Sequence, residues 1–167
     1  MRLQEPEIWL RDARLSPSGL YRYQLSRAWR DDGTGVCFIG LNPSTADGTV
    51  DDPTIRRMVG FARRWGSSGI EVVNLFGYRA TDPAQIPIDT DFAIGPENDC
   101  YIGSVARASE LVVACWGAHP SAIQRAERVL DQLVGLPIYH LGLTRTGQPK
   151  HPLYLRADTE PVLWERR

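Results

Sequence analysis

Short apolar runs alternate with helical patterns between residues 36 and 143 of the chain. Four runs predict buried strands: VCFIG (36–40), IEVVNLF (70–76), ELVVACWG (110–117) and PIYHLGL (137–143). The segments between them, DPTIRRMVGFARRWG (52–66), ENDCYIGSVARAS (97–109) and HPSAIQRAERVLDQLVG (119–135), predict helices. Apolar strands that alternate with helices are typical of a parallel sheet with both faces covered. We therefore predict an α/β fold, a three-layer α/β/α sandwich around a mainly parallel four-stranded central sheet.

The first and third predicted helices are clearly amphipathic. The first has Asp52 in position to cap it, Pro53 at its first helical position and Gly66 to end it. Its apolar stripe is Ile55, Met58, Val59, Ala62 and Trp65, and that of the third helix is Ile123, Ala126, Leu130 and Leu133. These stripes predict the helix faces that pack on the sheet.

The first thirty residues have a different pattern. EIWLRDARLS (7–16) and LYRYQLSRAW (20–29) flank the turn signal PSG, and the second segment partly alternates apolar with polar residues. This pattern predicts a β-hairpin beside the main sheet. No linker or repeat divides the chain, so residues 1–167 are predicted to form a single domain, with a hairpin extension at 1–31 and a core at 36–155.

The composition narrows the class of protein. A chain of 167 residues with 43% hydrophobic content can bury a core without disulfides or metals. A net charge of -1 argues against tight sequence-independent DNA binding but leaves room for a local basic groove. The spacing of the cysteines and histidines predicts no disulfide framework and no metal site, and we expect no cofactor. The charged N-terminus and the lack of long apolar runs predict a cytoplasmic protein without a membrane segment.

Unusual polar residues cluster in the segments that follow the predicted strands. These segments are LNPSTAD (41–47), NLFGYRATDP (74–83), WGAHPS (116–121) and TRTGQPKHPLY (144–154). In open α/β sheets, ligands bind in the crevice at the carboxyl ends of the strands. Because parallel strands bring those ends to one edge, we predict that the four segments form a binding site.

The segment after the first strand is one of two strong candidates. Gly40 allows a sharp turn, Pro43 stiffens the loop, and Asn42 then projects an amide donor and acceptor into the crevice. Neither of the common glycine-rich phosphate motifs is present. The alternative interpretation is an Asn-Pro turn in which Ser44 or Thr45 caps a short helix.

Further candidates lie on the second strand and on the first helix. Asn74 ends a core strand, where its amide needs partners and is suited to reading a nucleobase edge; the alternative is that it bonds neighbouring backbone. We favour an ion pair between Arg79 and Asp82 that closes the loop. Arg56 and Arg57 lie on the polar side of the helix, facing either a phosphate or solvent.

The second strong candidate is the segment past the fourth strand. It contains His151 and Lys150, the only lysine of the chain, after a glycine and a proline. A histidine donates a hydrogen bond to a developing anion in either protonation state near pH 7. The alternative is a loop histidine that covers the core. His119 and His140 are expected to be structural.

Five motifs together resemble a bacterial family known as domain of unknown function 1643. They are GLNPSTAD, DDPTIRR, NLFGYRATDP, IGPEND and LGLTRTGQPKHPLYL, in this order over nearly the whole chain. The family name implies no particular activity.

The layout is also similar, more distantly, to the uracil-DNA glycosylase superfamily, whose members share a four-stranded parallel sheet between helices. Gly40, Asn42 and Pro43 match the Gly-Ile-Asn-Pro-Gly motif of its mismatch-specific branch, with Leu41 in place of the isoleucine and Ser44 in place of the last glycine. His151-Pro152 matches the His-Pro-Ser motif, with Leu153 in place of the serine. The resemblance implies that Asn42 positions the attacking water, that Asn74 reads the base and that His151 bonds the departing base.

On this resemblance we expect a nucleobase N-glycosylase-like hydrolase that acts on a base in single- or double-stranded DNA or in a nucleotide. The predicted catalytic residues are Asn42, His151 and Asp47, the last as a general base or, alternatively, a helix cap. The predicted substrate-binding residues are Asn74, Pro43, Ser44, Thr45, Arg56, Arg57, Arg79 and Lys150. Two alternatives stay open: a non-catalytic nucleotide- or nucleic-acid-binding module of the same fold, and an enzyme for another small molecule.

Overall fold

A computed structural model describes residues 6–166 of the chain. Its strands are β1 (Leu10–Leu15), β2 (Arg22–Ala28), β3 (Val36–Gly40), β4 (Gly69–Asn74), β5 (Leu111–Ala114), β6 (Tyr139–His140) and β7 (Val162–Leu163). Its α-helices are α1 (Pro53–Arg64), α2 (Thr90–Ile94), α3 (Asn98–Ala108) and α4 (Ala122–Gln132). Short 3₁₀ turns cover Pro83–Gln85 and Pro152–Tyr154. The first five residues of the predicted hairpin extension lie outside the described residues.

All seven strands form one mixed sheet in the order β1-β2-β4-β3-β5-β6-β7. The four predicted strands are present as β3 to β6, and they pair in parallel. The prediction of a four-stranded sheet is wrong, because antiparallel strands extend the parallel part at both edges. At one edge β2 pairs with β4, and at the other the two-residue strand β7, too short to show any periodicity, pairs with β6.

The predicted N-terminal hairpin is confirmed as β1 paired antiparallel with β2. Leu15 pairs with Arg22 and Arg14 pairs with Gln24, so Tyr23 is an extra residue on β2. Such a bulge bends the strand and re-aims the side chains around it.

Helices cover both faces of the sheet. Along β3, Val36 and Phe38 belong to a core with the apolar residues of α1, whereas Cys37 and Ile39 belong to a second core with those of α3 and α4. The strict alternation follows from the two-residue period of a strand. It explains why the strand is apolar throughout, as the sequence indicated.

The predicted helix signals of α1 are confirmed. Asp52 Oδ1 accepts a hydrogen bond of 2.9 Å from the backbone N–H of Ile55, Pro53 begins the helix, and Gly66 follows it with a φ of 79°. In α4 the predicted stripe is wrong at Ile123, which is 51% exposed. Its neighbour Ala122 is buried instead, because one residue turns a helix by about 100° and so moves a side chain off the buried stripe.

The loops at the carboxyl edge of the parallel strands are tied together by backbone hydrogen bonds. Leu75 N–H donates to Gly40 O at 2.9 Å, and Gly117 N–H donates to Pro149 O at 2.8 Å. The loop after β5 is therefore joined to the segment that carries His151. Within residues 6–166, no helix is both long and apolar enough to cross a membrane.

Candidate functional site

A cavity of about 510 Å³ opens at the carboxyl ends of β3, β4 and β5. Its walls come from the loops after these strands, the start of α1 and the 3₁₀ turn at Pro152–Tyr154. Of the predicted site residues, Asn42, Ser44, Thr45, Asn74 and His151 line it. The polar residues that the sequence marked at separate strand ends thus come together.

Asn74 is a buried polar side chain of the cavity. It is 4% exposed, and its Nδ2 atom is enclosed without a hydrogen-bond partner. Gly40 lies opposite it on β3, and a Cβ atom at position 40 would come within 2.6 Å of Asn74 Oδ1. The absence of a side chain at Gly40 therefore makes the space that the amide occupies.

Helices α3 and α4, on the face of the sheet opposite α1, position the end of β4. Asn98 of α3 donates from Nδ2 to the carbonyls of Asn74 at 2.9 Å and Leu75 at 3.2 Å. Arg125 of α4 donates from Nε to the same Leu75 carbonyl at 2.7 Å and forms an ion pair with Asp99. Both donors are buried, so they fix the backbone on which Asn74 is carried.

Asn42 is half-buried, and it is the Nδ2 atom of its amide that makes hydrogen bonds. Its Nδ2 atom donates to Ala80 O at 2.8 Å and to Pro43 O at 3.0 Å, while no group of residues 6–166 donates to Oδ1. Pro43 is buried beneath the loop and does not line the cavity. Among the helices described, none begins at Ser44 or Thr45. Asn42 thus keeps an acceptor for a ligand or water.

His151 lines the cavity, and a hydrogen bond from the backbone determines its tautomer. Its Nδ1 atom accepts a hydrogen bond of 3.3 Å from the N–H of Leu153, so the neutral ring carries its proton on Nε2. Burial lowers the pKa of His151 below its ordinary value, although the nearby charge of Asp52 acts in the opposite direction. At pH 7 the ring is therefore a neutral donor of one N–H.

Three cavity residues were missed at the sequence level. His119 was expected to be structural, yet it lines the cavity with Nδ1 accepting from Ser121 N–H at 3.3 Å. Its signal was the complete His-Pro-Ser tripeptide at 119–121. Asp52 was assigned only as a helix cap and also lines the cavity. Arg22 comes from β2, and no sequence pattern pointed to it.

Asp47 lies outside the cavity lining and is engaged in its own turn. Its Oδ1 atom accepts from Thr49 N–H and Val50 N–H, both at 2.8 Å, and from Thr49 Oγ1 at 3.2 Å. These bonds stabilise the carboxylate and lower the pKa of Asp47. The side chain thus caps a turn rather than a helix.

The predicted basic residues are also placed outside the cavity. Arg56 and Arg57 line a shallow depression beside it with Pro53. Arg57 donates to Leu155 O and stacks on Phe61.

The remaining predicted cations, Lys150 and Arg79, do not line the cavity. Lys150 is exposed and Arg79 is half-buried. No ion pair joins Arg79 to Asp82 in the described part of the chain; Asp82 instead caps the 3₁₀ turn by accepting from Ala84 N–H at 2.9 Å. The expected ion pair is therefore absent.

The metal-ligating and thiol side chains of the described residues bear on two kinds of chemistry, metal binding and nucleophilic attack. Within residues 6–166, no group of three or more histidine, cysteine, aspartate or glutamate residues is arranged to hold a metal ion. Cys115 lines the cavity, but its burial strongly raises the pKa of the thiol. A thiol of this kind is a poor nucleophile, because the reactive species is the thiolate.

The fold and the site together define an α/β protein with a cavity, lined by both apolar and polar side chains, at the carboxyl edge of its parallel strands. A family model described as protein of unknown function (DUF1643) matches residues 22–153. The match covers most of the chain, so the chain belongs to this family, as its motifs indicated. No curated protein and no solved structure matches the chain.

Proposed function

We propose that this protein hydrolyses the N-glycosidic bond of a nucleobase, in DNA or in a nucleotide, and that it is a distant relative of the uracil-DNA glycosylase superfamily. The observation that carries the proposal is the buried amide of Asn74. It lines a cavity with Asn42 and His151, with its Nδ2 atom enclosed and without a partner. A buried polar group without a partner is costly, and a nucleobase edge offers the acceptor and donor that an amide needs.

The reaction needs a donor that stabilises the departing base and a group that orients the attacking water, and residues suited to both roles line one cavity. When the bond between the sugar C1′ and the base nitrogen breaks, positive charge develops on the sugar and negative charge on the base. The Nε2–H of His151 donates to the base and stabilises that negative charge. Water then forms the new bond to C1′, and the Oδ1 atom of Asn42 accepts a hydrogen bond from it and orients it.

The proton released by the water requires an acceptor. We assign this role to Asp52 rather than to Asp47, because Asp52 lines the cavity. One oxygen of Asp52 caps α1 by accepting from Ile55, which leaves the other for a water molecule. A carboxylate at this place also faces the positive charge that develops on the sugar.

The test is a base-release assay by mass spectrometry. The substrates are single- and double-stranded DNA carrying uracil, hypoxanthine, xanthine or a thymine mismatch, and the corresponding free nucleotides. Wild-type protein is compared with Asn42→Ala and His151→Ala. We expect His151→Ala to reduce release by about 10²-fold or more, as for other donors to a developing anion. Asn42→Ala is also expected to reduce release, because the attacking water is no longer oriented.

The matched control is His140→Ala. His140 also accepts on Nδ1 from the backbone two residues on, Gly142 N–H at 2.9 Å, but it does not line the cavity. Release that survives in both cavity variants contradicts the proposed site. Binding of nucleotides or DNA without release by the wild type contradicts catalysis and favours the non-catalytic binding module. Neither binding nor release favours another small-molecule substrate.

A further inference from the structure

Three arginines are buried among the described residues 6–166: Arg22, Arg27 and Arg125. Two of them have carboxylate partners, because Arg27 pairs with Asp51 at 2.8 Å and Arg125 pairs with Asp99. Arg22 is 2% exposed, and no carboxylate in the described part of the chain forms an ion pair with it. A buried cation without a counter-ion is destabilising, so the exception needs an explanation.

The guanidinium of Arg22 is only partly satisfied by the protein. Nη1 donates to Ala46 O at 2.7 Å, while Nε is enclosed without a partner. Nη2 also makes no hydrogen bond within residues 6–166, and it is not among the enclosed atoms. Nη2 is therefore the donor of Arg22 that an anion in the cavity can reach, and a charge-assisted hydrogen bond from it gives the buried guanidinium a counter-ion.

The bulge of β2 explains how a strand residue of the hairpin reaches the cavity. Tyr23 is the extra residue, and Arg22 next to it is re-aimed toward the loop after β3, where it contacts Ala46. Arg22 N–H also donates to Gly77 O at 3.0 Å, which anchors its backbone to the loop after β4. The side chain is therefore held in place before any ligand arrives.

The charges around Arg22 leave it cationic at pH 7. Burial lowers the pKa of Arg22 to about 10; Asp52 and Asp47 oppose the shift, whereas Arg79 and Arg27 add to it. The two aspartates act at a distance, with Asp52 capping α1 and Asp47 engaged in its turn. Neither forms an ion pair with the guanidinium, so its Nη2 atom stays available to an anion.

We propose that Arg22 binds a phosphate group of the substrate inside the cavity, so that the substrate is a nucleotide or a nucleic-acid strand held by its phosphate. The hydroxyl of Ser44, which lines the same cavity after β3, adds a neutral donor. The inference rests on the proposed function, because the phosphate belongs to the same substrate. A cavity of about 510 Å³ lies within the range of small-molecule sites, roughly 300–1,000 Å³.

The test measures phosphate recognition separately from base recognition and catalysis. Isothermal titration calorimetry at pH 7.5 compares ribose 5-phosphate with ribose, and the nucleoside 5′-monophosphates with their nucleosides. A short single-stranded oligonucleotide is then compared with the monophosphates and the nucleosides. We expect each phosphorylated probe to bind at least about tenfold more tightly than its unphosphorylated counterpart, since charge-assisted hydrogen bonds are the strong ones. Tighter binding of the monophosphates than of the oligonucleotide identifies a phosphate monoester, and the reverse order identifies a strand.

Four variants locate the phosphate. Arg22→Gln is expected to remove the preference for phosphorylated probes, and Ser44→Ala to reduce it. Arg145→Gln, an exposed arginine outside the cavity, is expected to leave it unchanged. A preference that is absent in wild type or retained in Arg22→Gln overturns the inference. Loss of the preference in Arg57→Gln alone also overturns it, because the phosphate then lies in the depression beside the cavity.

A measurement on the wild-type protein covers the case in which Arg22→Gln fails to fold. In an NMR titration with ribose 5-phosphate, the assigned Nε–H signal of Arg22 is expected to shift and saturate, and an unmoved signal overturns the inference. Phosphate preference without base release contradicts only the proposed hydrolysis. Base release without phosphate preference contradicts only the role of Arg22.

Discussion

Gly40 and Asn74 face each other across β3 and β4, and the amide of one occupies the space that a side chain on the other would need. A buried amide cannot swing into solvent, so any Cβ at position 40 acts directly on the cavity. At the residue scale, the site thus depends on a missing side chain as much as on the side chains present. Burial also acts on His151, because it lowers the pKa of the ring and so favours its neutral form.

Gly40→Ala is expected to destabilise the protein by about 1–3 kcal/mol and to weaken nucleobase binding, because the new Cβ forces Asn74 out of its position. Urea unfolding and calorimetry measure the two effects. The control is Gly60→Ala on the exposed side of α1, where a Cβ meets nothing within 4 Å. It is expected to stabilise the protein by about 0.5–1 kcal/mol. A Gly40→Ala protein with wild-type stability and binding would contradict this account of Asn74.

His151 is expected to titrate below its ordinary pKa of 6.5 in an NMR pH titration, because burial disfavours the cation. The folded protein then binds the proton less readily than the unfolded chain does. The contribution of His151 to the free energy of unfolding is therefore fully present above pH 6.5. It is lost as the pH falls through the folded-state pKa. Asp52→Asn, which keeps a capping side chain, should lower this pKa further. A midpoint at or above 6.5, or a rise in the variant, would refute the assignment.

At the scale of elements, α3 and α4 do more than cover a face of the sheet. Asn98 and Arg125 reach from these helices to the carbonyls at the end of β4, where the strand can no longer satisfy them with its neighbours. Buried backbone carbonyls need such partners. The helices therefore fix the strand end from which Asn74 enters the cavity.

Asn98→Ala is expected to cost about 2–3 kcal/mol of unfolding free energy, because the Asn74 carbonyl loses its donor in a buried place. Ser104→Ala on the exposed side of the same helix is the control and should change stability by less than about 0.5 kcal/mol. Urea unfolding measures both. Equal stability of the two variants would show that the contact between α3 and β4 is not important for the fold.

At the scale of the whole molecule, the hairpin and the parallel strands are one continuous sheet. Strand β2 covers the edge of β4, and its Leu25, together with Trp29 just beyond its end, is buried in the core on the side of α1. The same strand supplies Arg22 to the cavity. The N-terminal hairpin and residues 36–155 therefore contribute to one hydrophobic core and to one cavity.

A protein shortened to residues 36–155 is therefore expected not to fold as a stable monomer. The truncation exposes the edge of β4 and removes the apolar side chains that β2 contributes, and exposed strand edges favour association. Circular dichroism and size-exclusion chromatography compare it with the full chain, which should unfold in a single cooperative transition. A compact, cooperatively unfolding fragment would instead support an independent core.

Much of the architecture was predictable because the apolar residues that form strong local patterns are also the ones buried between the sheet and the helices. The alternating cores of β3, the cap and stripe of α1 and the hairpin all carry short-range signals. Prediction failed where the signal was short or ambiguous. Strand β7 has two residues, and Ile123 is apolar but points away from the sheet.

The sequence by itself determined the four parallel core strands, the helices between them and the edge of the sheet at which polar residues gather. It also marked five of the residues that line the cavity, Asn42, Ser44, Thr45, Asn74 and His151, because polar residues after apolar strands are visible along the chain. Only the tertiary structure decided that Arg22 and His119 line the cavity and that Asp47 does not. The physical reason is distance along the chain. Arg22 reaches the site through a bulge and a strand pairing, and both are set by contacts between segments that no local pattern encodes.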